Sequence, residues 1–410
     1  MAVGMEEEMY IRREMEETVR RASGMFRVVL LTGARQTGKS TLLRHCAEKG
    51  RGVVTLDDPG ERALAQEDPG YFLQRHPAPV LIDEIQYAPE LLPYIKMAVD
   101  GSDDRGQYWL TGSQRFSLMK GVRESLAGRV AILELSGLSW AERRGTVRAG
   151  TLAELASGKV VPSGAPAKAK EVWESIWRGG YPELAARPET DVRWFHASYV
   201  RTYLERDVRN LLRVEDERAF LAFLRCAAAR TAQELNVADM ARDTGVAPNT
   251  AKAWLSVLEA SGVVYLLRAW SRNRIQRAVK RPKLYFEDTG LCCHLTGWPN
   301  PETLEAGAMS GAMLETHAVM EVVKAYRNRG LEAPVFHWRD AARREIDLVV
   351  EEGGKAHPVE IKKKERPTAS DAAAFGCIPG EVRGKGAVVC FSQSRAPLSR
   401  EVGVLSVGDL

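Results

Sequence analysis

The chain has 410 residues, 45% of them hydrophobic and 27% charged, with a formal net charge of +4. This is ordinary globular composition, which excludes a disordered or fibrous chain and leaves room for roughly two to four domains. So small a net charge identifies no partner, and only local clustering can. The six cysteines include no C-x-x-C pair. That argues against a zinc site or a disulfide framework and suits a reducing cytosol. No apolar run reaches the roughly 18 residues of a membrane span, and the acidic first eight residues lack the apolar core of a secretory signal.

In chain order, residues 5–23 carry Met5, Met9, Met15 and Val19 at helical spacing, which predicts a packing helix. Arg27–Thr32 is apolar and β-branched and predicts a buried parallel strand. Gly33-Ala34-Arg35-Gln36-Thr37-Gly38-Lys39-Ser40 follows and fits G-x-x-x-x-G-K-[ST], and Ser40-Thr41 opens a helix. Strand, glycine loop and helix form a phosphate-binding P-loop. Glycines let backbone N–H groups close around phosphate oxygens, and the helix N-terminus adds its partial positive charge. Gly33 to Thr41 are the expected contacts for ATP. Lys39 reaches the β- and γ-phosphates, and the Ser40 hydroxyl holds Mg²⁺.

A second strand covers Gly52–Thr55 and closes at Asp57-Asp58-Pro59. Val80-Leu81-Ile82-Asp83-Glu84 is an apolar strand ending in two carboxylates, as a Walker B segment does. Asp83 is expected to support the Mg²⁺ shell and Glu84 to activate the attacking water. Gln107–Ser113 and Val130–Leu135 complete five strands alternating with helical stretches, which predicts a doubly wound parallel α/β sheet. Its ligand belongs at the carboxyl ends of the strands, where the P-loop, Asp83, Glu84, Thr111 and Ser113 all fall.

The order P-loop, strand-Asp-Glu, strand-Thr-Gly-Ser and Ser125-Leu126-Ala127-Gly128-Arg129 resembles the AAA+ ATPases. More narrowly, it resembles a prokaryotic group of AAA-type ATPases with a C-terminal domain of unknown function. The likeness extends to Trp177-Arg178-Gly179-Gly180-Tyr181-Pro182 and Tyr203-Leu204-Glu205-Arg206-Asp207-Val208. The resemblance implies ATP hydrolysis in a homo-oligomer. It gives Ser113 a sensor role at the γ-phosphate, and it places Arg129 where an arginine finger would point at a neighbouring subunit's nucleotide. Residues 1–140 are then the ATPase core.

Residues 145–170 are rich in Gly, Ala, Ser and Pro and read as a mobile insertion or linker. The stretch 171–215 returns to helical spacing and corresponds to a helical lid. Arg178 could reach nucleotide from it, although a salt bridge suits it better. Residues 141–215 form this linker and lid.

Residues 216–300 read as a winged helix. Asn236–Gly245 and Pro248–Gly262 are two helices around a tight turn. Val263–Leu267 and Lys283–Phe286 predict the strands of a wing. Arg268, Arg272, Arg274, Arg277, Lys280, Arg281 and Lys283 lie in a segment without a single acid, Gly262 to Phe286. Such a run suits phosphate contacts to DNA, although many winged helices serve as protein–protein modules and a basic hairpin can be a solvated face.

In residues 301–410, Glu345–Val350 and His357–Lys362 predict a hairpin around Glu352-Gly353-Gly354-Lys355. Period-2 alternation puts Glu360 and Lys362 on one face, and Asp347 converges with them if it points the same way across the hairpin. The set resembles the PD-(D/E)xK nuclease signature, with Trp338-Arg339 ahead of it and Glu315 as the extra acid on a helix. The resemblance implies a restriction-endonuclease-like domain in which Asp347, Glu360 and Glu315 hold a metal and Lys362 activates water. Two readings result. One is an AAA+-type ATPase acting on nucleic acid; the other is an ATP-gated switch that binds a protein partner and has an inert C-terminal domain.

Overall fold

The computed structural model of the chain describes residues 10–112, 122, 124–146, 148, 150–162, 164–204 and 217–410. The first of its sheets contains β1 (Val28–Thr32), β2 (Gly52–Thr55), β3 (Val80–Asp83), β4 (Tyr108–Gly112) and β5 (Val130–Glu134). All pairings are parallel, in the order β2-β3-β4-β1-β5. β1 is buried at every position. Its Val28 and Leu30 pack against Phe72, Leu91 and Ile95, while Val29 and Leu31 pack against Met15, Leu42 and Trp109. Helices on both faces explain why the strand reads as an unbroken apolar run. The packing helix runs over Glu16–Met25; Met5 and Met9 lie outside the described residues.

Parallel strands share one carboxyl edge, and the order of the sheet decides what meets there. β4 lies between β1 and β3, so Thr111 stands between the P-loop and Asp83.

A second, three-stranded sheet joins β6 (Gln233–Glu234), β7 (Val264–Leu267) and β8 (Lys283–Phe286), antiparallel in the order β6-β8-β7. The helices Glu217–Ala228, Val237–Thr244 and Pro248–Ala260 pack into the same core. Asn236 caps the second helix through the Asp239 amide, and Gly245, at φ 69°, ends it in the left-handed conformation. Between β7 and β8 the chain forms a helix, Arg274–Val279, where the sequence predicts only a wing loop.

The third sheet holds β9 (Val335–Arg339), β10 (Glu345–Glu352), β11 (Lys355–Ile361), β12 (Gly386–Cys390) and β13 (Val402–Ser406), in sequential order. β9, β10 and β11 pair antiparallel, and β11, β12 and β13 parallel. Gly353 and Gly354, both at positive φ, make the tight turn between β10 and β11. The Ser310–Arg327 helix packs into the core shared by this sheet and the second one.

The expected mobile insertion is corrected. Leu152–Ser157 is a helix with a complete capping box between Thr151 and Glu154, and it buries Leu152, Ala153, Leu155 and Ala156. Thr151 Oγ1 also donates to Glu352 of β10 at 3.2 Å. The capping box and the buried face supply what Gly, Ser and Pro composition concealed.

Candidate functional site

The P-loop leaves β1 through Gly33, whose added Cβ would fall 2.1 Å from the Leu135 carbonyl oxygen, so no side chain fits there. Gln36 and Gly38 take left-handed φ values of 59° and 87° before the Lys39–Cys46 helix begins. Lys39 is buried, and its Nζ donates to the carbonyls of Ala34 (2.7 Å) and Gly33 (3.1 Å). Thr37 Oγ1 closes the loop on the Ala34 carbonyl at 2.9 Å. Pro182, of the Trp177–Pro182 segment, and Gly262, after the Pro248–Ala260 helix, lie near the loop: a Cβ added at Gly38 would meet Pro182 at 3.6 Å, and one added at Gly262 would meet Ala34 at 3.5 Å.

At the end of β3, Asp83 Oδ1 accepts from Ser40 Oγ and from Thr111 Oγ1, each at 2.5 Å. A hydroxyl and a carboxylate of the expected types therefore stand together. Mg²⁺ takes one or two protein ligands and fills the rest of its octahedron with water and phosphate oxygens, so this pair fits it. Glu84 follows directly, in the left-handed region at φ 59°. That conformation is costly for a non-glycine residue and marks a constrained position. The Glu84 amide donates to Thr111 Oγ1 at 3.0 Å, and Gln86 contacts its carboxylate. Thr111 thus orients both acids. The sequence placed it at this edge without a role.

Ser113 lies outside the described residues, as do Glu205, Arg206, Asp207 and Val208. Arg129 precedes β5 at the amino edge of the sheet, level with Val28, whose amide donates to the Arg129 carbonyl. The P-loop lies at the opposite edge, so Arg129 cannot serve this chain's own nucleotide. Its guanidinium makes a two-pronged ion pair with Asp100. Arg178 donates to the carbonyls of Leu184 (3.0 Å) and Pro188 (3.2 Å), a local fastening in place of the expected nucleotide contact or salt bridge.

In the C-terminal sheet, Leu348 pairs with Val359, which sets Asp347 opposite Glu360 on one face of the hairpin. A bulge at Asp347-Leu348, where β10 runs past β9, re-aims this stretch of strand. Lys362 Nζ meets Glu360 Oε1 at 2.6 Å, and the Ile361 amide donates to Asp347 at 2.8 Å. Glu315 belongs to the same group electrostatically. Burial, then the charge of Asp347, pushes its carboxyl up to about 7. Glu360 rises to about 7 for the same reasons, and burial raises Asp347 too.

The expected metal set is nevertheless corrected. Lys283 of β8, only 3% exposed, donates its Nζ to Glu315 Oε1 at 2.8 Å and contacts Glu345. Tyr285 donates to the same Glu315 oxygen at 2.6 Å. Among the described residues no three His, Cys, Asp or Glu side chains are grouped closely enough to hold a metal ion. An ammonium from the middle unit serves Glu315 where a metal was expected, so this arrangement does not fit a metal. Within the group, Glu360 Oε2 is buried without a hydrogen-bond partner and still asks for a positive neighbour.

The basic segment is also partly spent inside the molecule. Arg277 forms a bidentate pair with Glu351 (2.6 and 2.7 Å) and lies over the Phe336 ring; Arg272 pairs with Glu381 at 2.8 Å. The side chain of Arg274 lies outside the description.

Residues 25–143 match the model of an AAA domain, residues 169–302 a domain of unknown function (DUF8612), and residues 310–410 another (DUF4143). An uncharacterized protein of Mycobacterium tuberculosis is 30% identical over 397 residues, covering 95% of this chain and 82% of its own. An uncharacterized protein of Mycobacterium bovis matches to the same extent. The chain belongs to the same family as these two proteins. The AAA-domain match falls on the P-loop and Asp83-Glu84, which makes the protein a P-loop ATPase by family. Among solved structures, a Walker-type ATPase of Pyrococcus abyssi is 16% identical, covers 69% of this chain and 94% of its own, and has a TM-score of 0.44. A RuvB variant of Thermotoga maritima is 18% identical, covers 62% and 85%, and has a TM-score of 0.28. Both scores are too low to add to the fold described above. No helix among the described residues is long and apolar enough to cross a membrane.

Proposed function

We propose that this AAA-domain protein hydrolyses ATP and couples hydrolysis to binding or sensing of nucleic acid, with DNA as the favoured partner. The observation that carries the first half is the Ser40–Asp83–Thr111 cluster with Glu84 beside it at the mouth of the P-loop. Mg²⁺, when bound, neutralises charge on the β- and γ-phosphates. The chain's own residues do the rest. Loop N–H groups and Lys39 hold the phosphates, Ser40 and Asp83 offer oxygen ligands, and Glu84 takes a proton from the attacking water.

The second half rests on the middle unit. Its three helices and three-stranded sheet suit a winged helix, with the Pro248–Ala260 helix as the recognition element. The order helix, three antiparallel strands and a parallel fourth in the C-terminal domain suits a restriction-endonuclease-like core. Assembly into a homo-oligomer would bring Arg129 to a neighbour's nucleotide once Asp100 releases it. The deciding experiment measures ATP turnover with and without duplex, single-stranded and branched DNA. Stimulation by one of these supports the proposal. Tight nucleotide retention with no response to any of them supports the rival, an ATP-gated switch for a protein partner.

One observation favours that rival's inert C-terminal domain. Lys283 fixes Glu315 from another unit, and Arg272 and Arg277 fasten the same two units together. Incubation of branched and single-stranded DNA with Mn²⁺ and without ATP decides the matter. Cleavage abolished by Lys362→Ala would restore the nuclease reading.

A further inference from the structure

We infer that Arg13 is a positioning residue for ATP hydrolysis, one that holds the P-loop in shape and ties it to the surface on which the C-terminal half docks. The inference rests on the ATPase reading above and deepens it.

Arg13 lies ahead of the first helix and outside the matched AAA domain, and it is 4% exposed. Its guanidinium serves acceptors on separate segments. NH1 donates to the Thr37 carbonyl of the P-loop at 2.8 Å, NH2 to the Ser136 carbonyl at 2.8 Å, and Nε to Glu142 Oε1 at 3.0 Å. A planar fork with five N–H donors can meet several acceptors at once, and a lysine cannot.

The bond to Thr37 matters for chemistry. The peptide between Thr37 and Gly38 is planar and trans, so its C=O and N–H point in opposite directions. Fixing the Thr37 carbonyl therefore fixes the direction of the Gly38 N–H, and loop N–H groups are what a P-loop offers to phosphate. Arg13 acts on the substrate through that peptide plane, without touching it.

The other bonds connect the loop to the C-terminal half. The Ser310–Arg327 helix grips the segment that Arg13 holds. Arg327 NH1 donates to Ser136 Oγ at 2.9 Å, Lys324 Nζ to the Leu138 carbonyl at 3.1 Å, and the Trp140 amide to Glu321 Oε2 at 2.8 Å. Arg327 also pairs with Glu134 at the end of β5 and with Glu287 just beyond β8. The same helix carries Glu315, the partner of Lys283, in its second turn from the other end. A displacement of this helix thus reaches residues 134–142, then Arg13, then the Thr37–Gly38 peptide, through bonded groups at every step. Both Arg13 and Glu321 are buried, so water does not readily replace a missing partner.

The test compares wild type, Arg13→Lys and Arg13→Gln by equilibrium binding of a fluorescent ATP analogue and by steady-state turnover. Arg13→Gln should weaken nucleotide binding and raise KM by about tenfold or more, with kcat changed much less, because ground-state and transition-state binding weaken together. Arg13→Lys should recover part of the affinity through one bond to Thr37. Hydrogen exchange on wild type is the second readout: ATP should add protection at residues 136–142, and Lys39→Ala should abolish the effect. Affinities of both variants within about twofold of wild type would overturn the inference, as would unaltered exchange at 136–142 should the variants not fold. If wild type shows no ATP turnover, or Lys39→Ala binds normally, the ATPase reading fails instead.

Discussion

Two groups of acids in this protein look alike in sequence and differ in what balances them. Asp83 ends a buried strand; hydroxyls, those of Ser40 and Thr111, meet its Oδ1 closely, and the half-exposed Arg44 guanidinium stands 3.9 Å from its Oδ2. Glu315 is met by an ammonium, that of Lys283, and by a phenol. Hydroxyls bring no charge of their own, so they can share the carboxylate with an incoming cation. An ammonium at 2.8 Å already supplies that charge. The difference teaches that a buried acid is a candidate metal ligand only until the cation that balances it is known.

The sharpest way to break this comparison is at Glu84. Glu84→Gln should retain ATP and lower turnover on the order of 10²–10⁴-fold, the range for a missing general base. Unchanged turnover would remove the nucleotide site from the comparison.

Next in size is Lys283→Met. Removing one partner of a buried pair costs about 3–5 kcal/mol, because the carboxylates stay behind uncompensated. Urea denaturation measures it. The double variant Lys283→Met with Glu315→Gln should regain much of that stability. Wild-type stability in the single variant would show that Lys283 is not the cation this cluster depends on. Stability regained by the single variant on adding Mn²⁺ would show that the cluster can exchange its cation after all.

A smaller effect is expected from pH. Burial lowers His196 and His337 to about 4 and His317 to about 3, below the usual value near 6.5. The unfolded chain takes up these protons first, so their contribution to stability is present above about pH 6.5 and is lost as pH falls toward 4. Glu315 and Glu360, raised to about 7, carry the opposite sign. Their contribution is present below about pH 4.5 and is lost as pH rises through 7. The trends oppose each other in wild type. Glu360→Gln removes one of the opposing groups, so its melting temperature should fall more steeply between pH 7 and 4.5. Parallel curves for the two proteins would contradict the assigned burial effect.

The smallest effect concerns the basic segment. Replacing Arg272, Arg274 and Arg277 with Ala should reduce the salt dependence of DNA binding by up to roughly 0.9 log units for each phosphate no longer neutralised. Arg272 and Arg277 pair with Glu381 and Glu351, so the reduction should fall well short of that for three phosphates. A full three-phosphate change would mean that these ion pairs open on DNA.

These outcomes follow what local sequence can and cannot carry. The P-loop and Asp83-Glu84 were legible because each is a contiguous motif attached to its strand. The hairpin of β10 and β11 was legible because two glycines fix its turn and alternation fixes its face. The position of β4 between β1 and β3 was not, since strand order depends on crossovers. Lys283 read as part of a basic run because its partner Glu315 lies 32 residues away. Arg13 carried no motif at all; its bonds to Ser136 and Glu142 span more than a hundred residues. The Thr151–Glu154 capping box was present in the sequence and masked by the composition around it.

The central claim is that the P-loop binds ATP through Lys39, and equilibrium binding tests it most directly. Wild type should bind ATP with Mg²⁺ saturably, and Lys39→Ala, folded by circular dichroism, should bind at least about a hundredfold more weakly. Equal affinity in the two proteins would contradict the account.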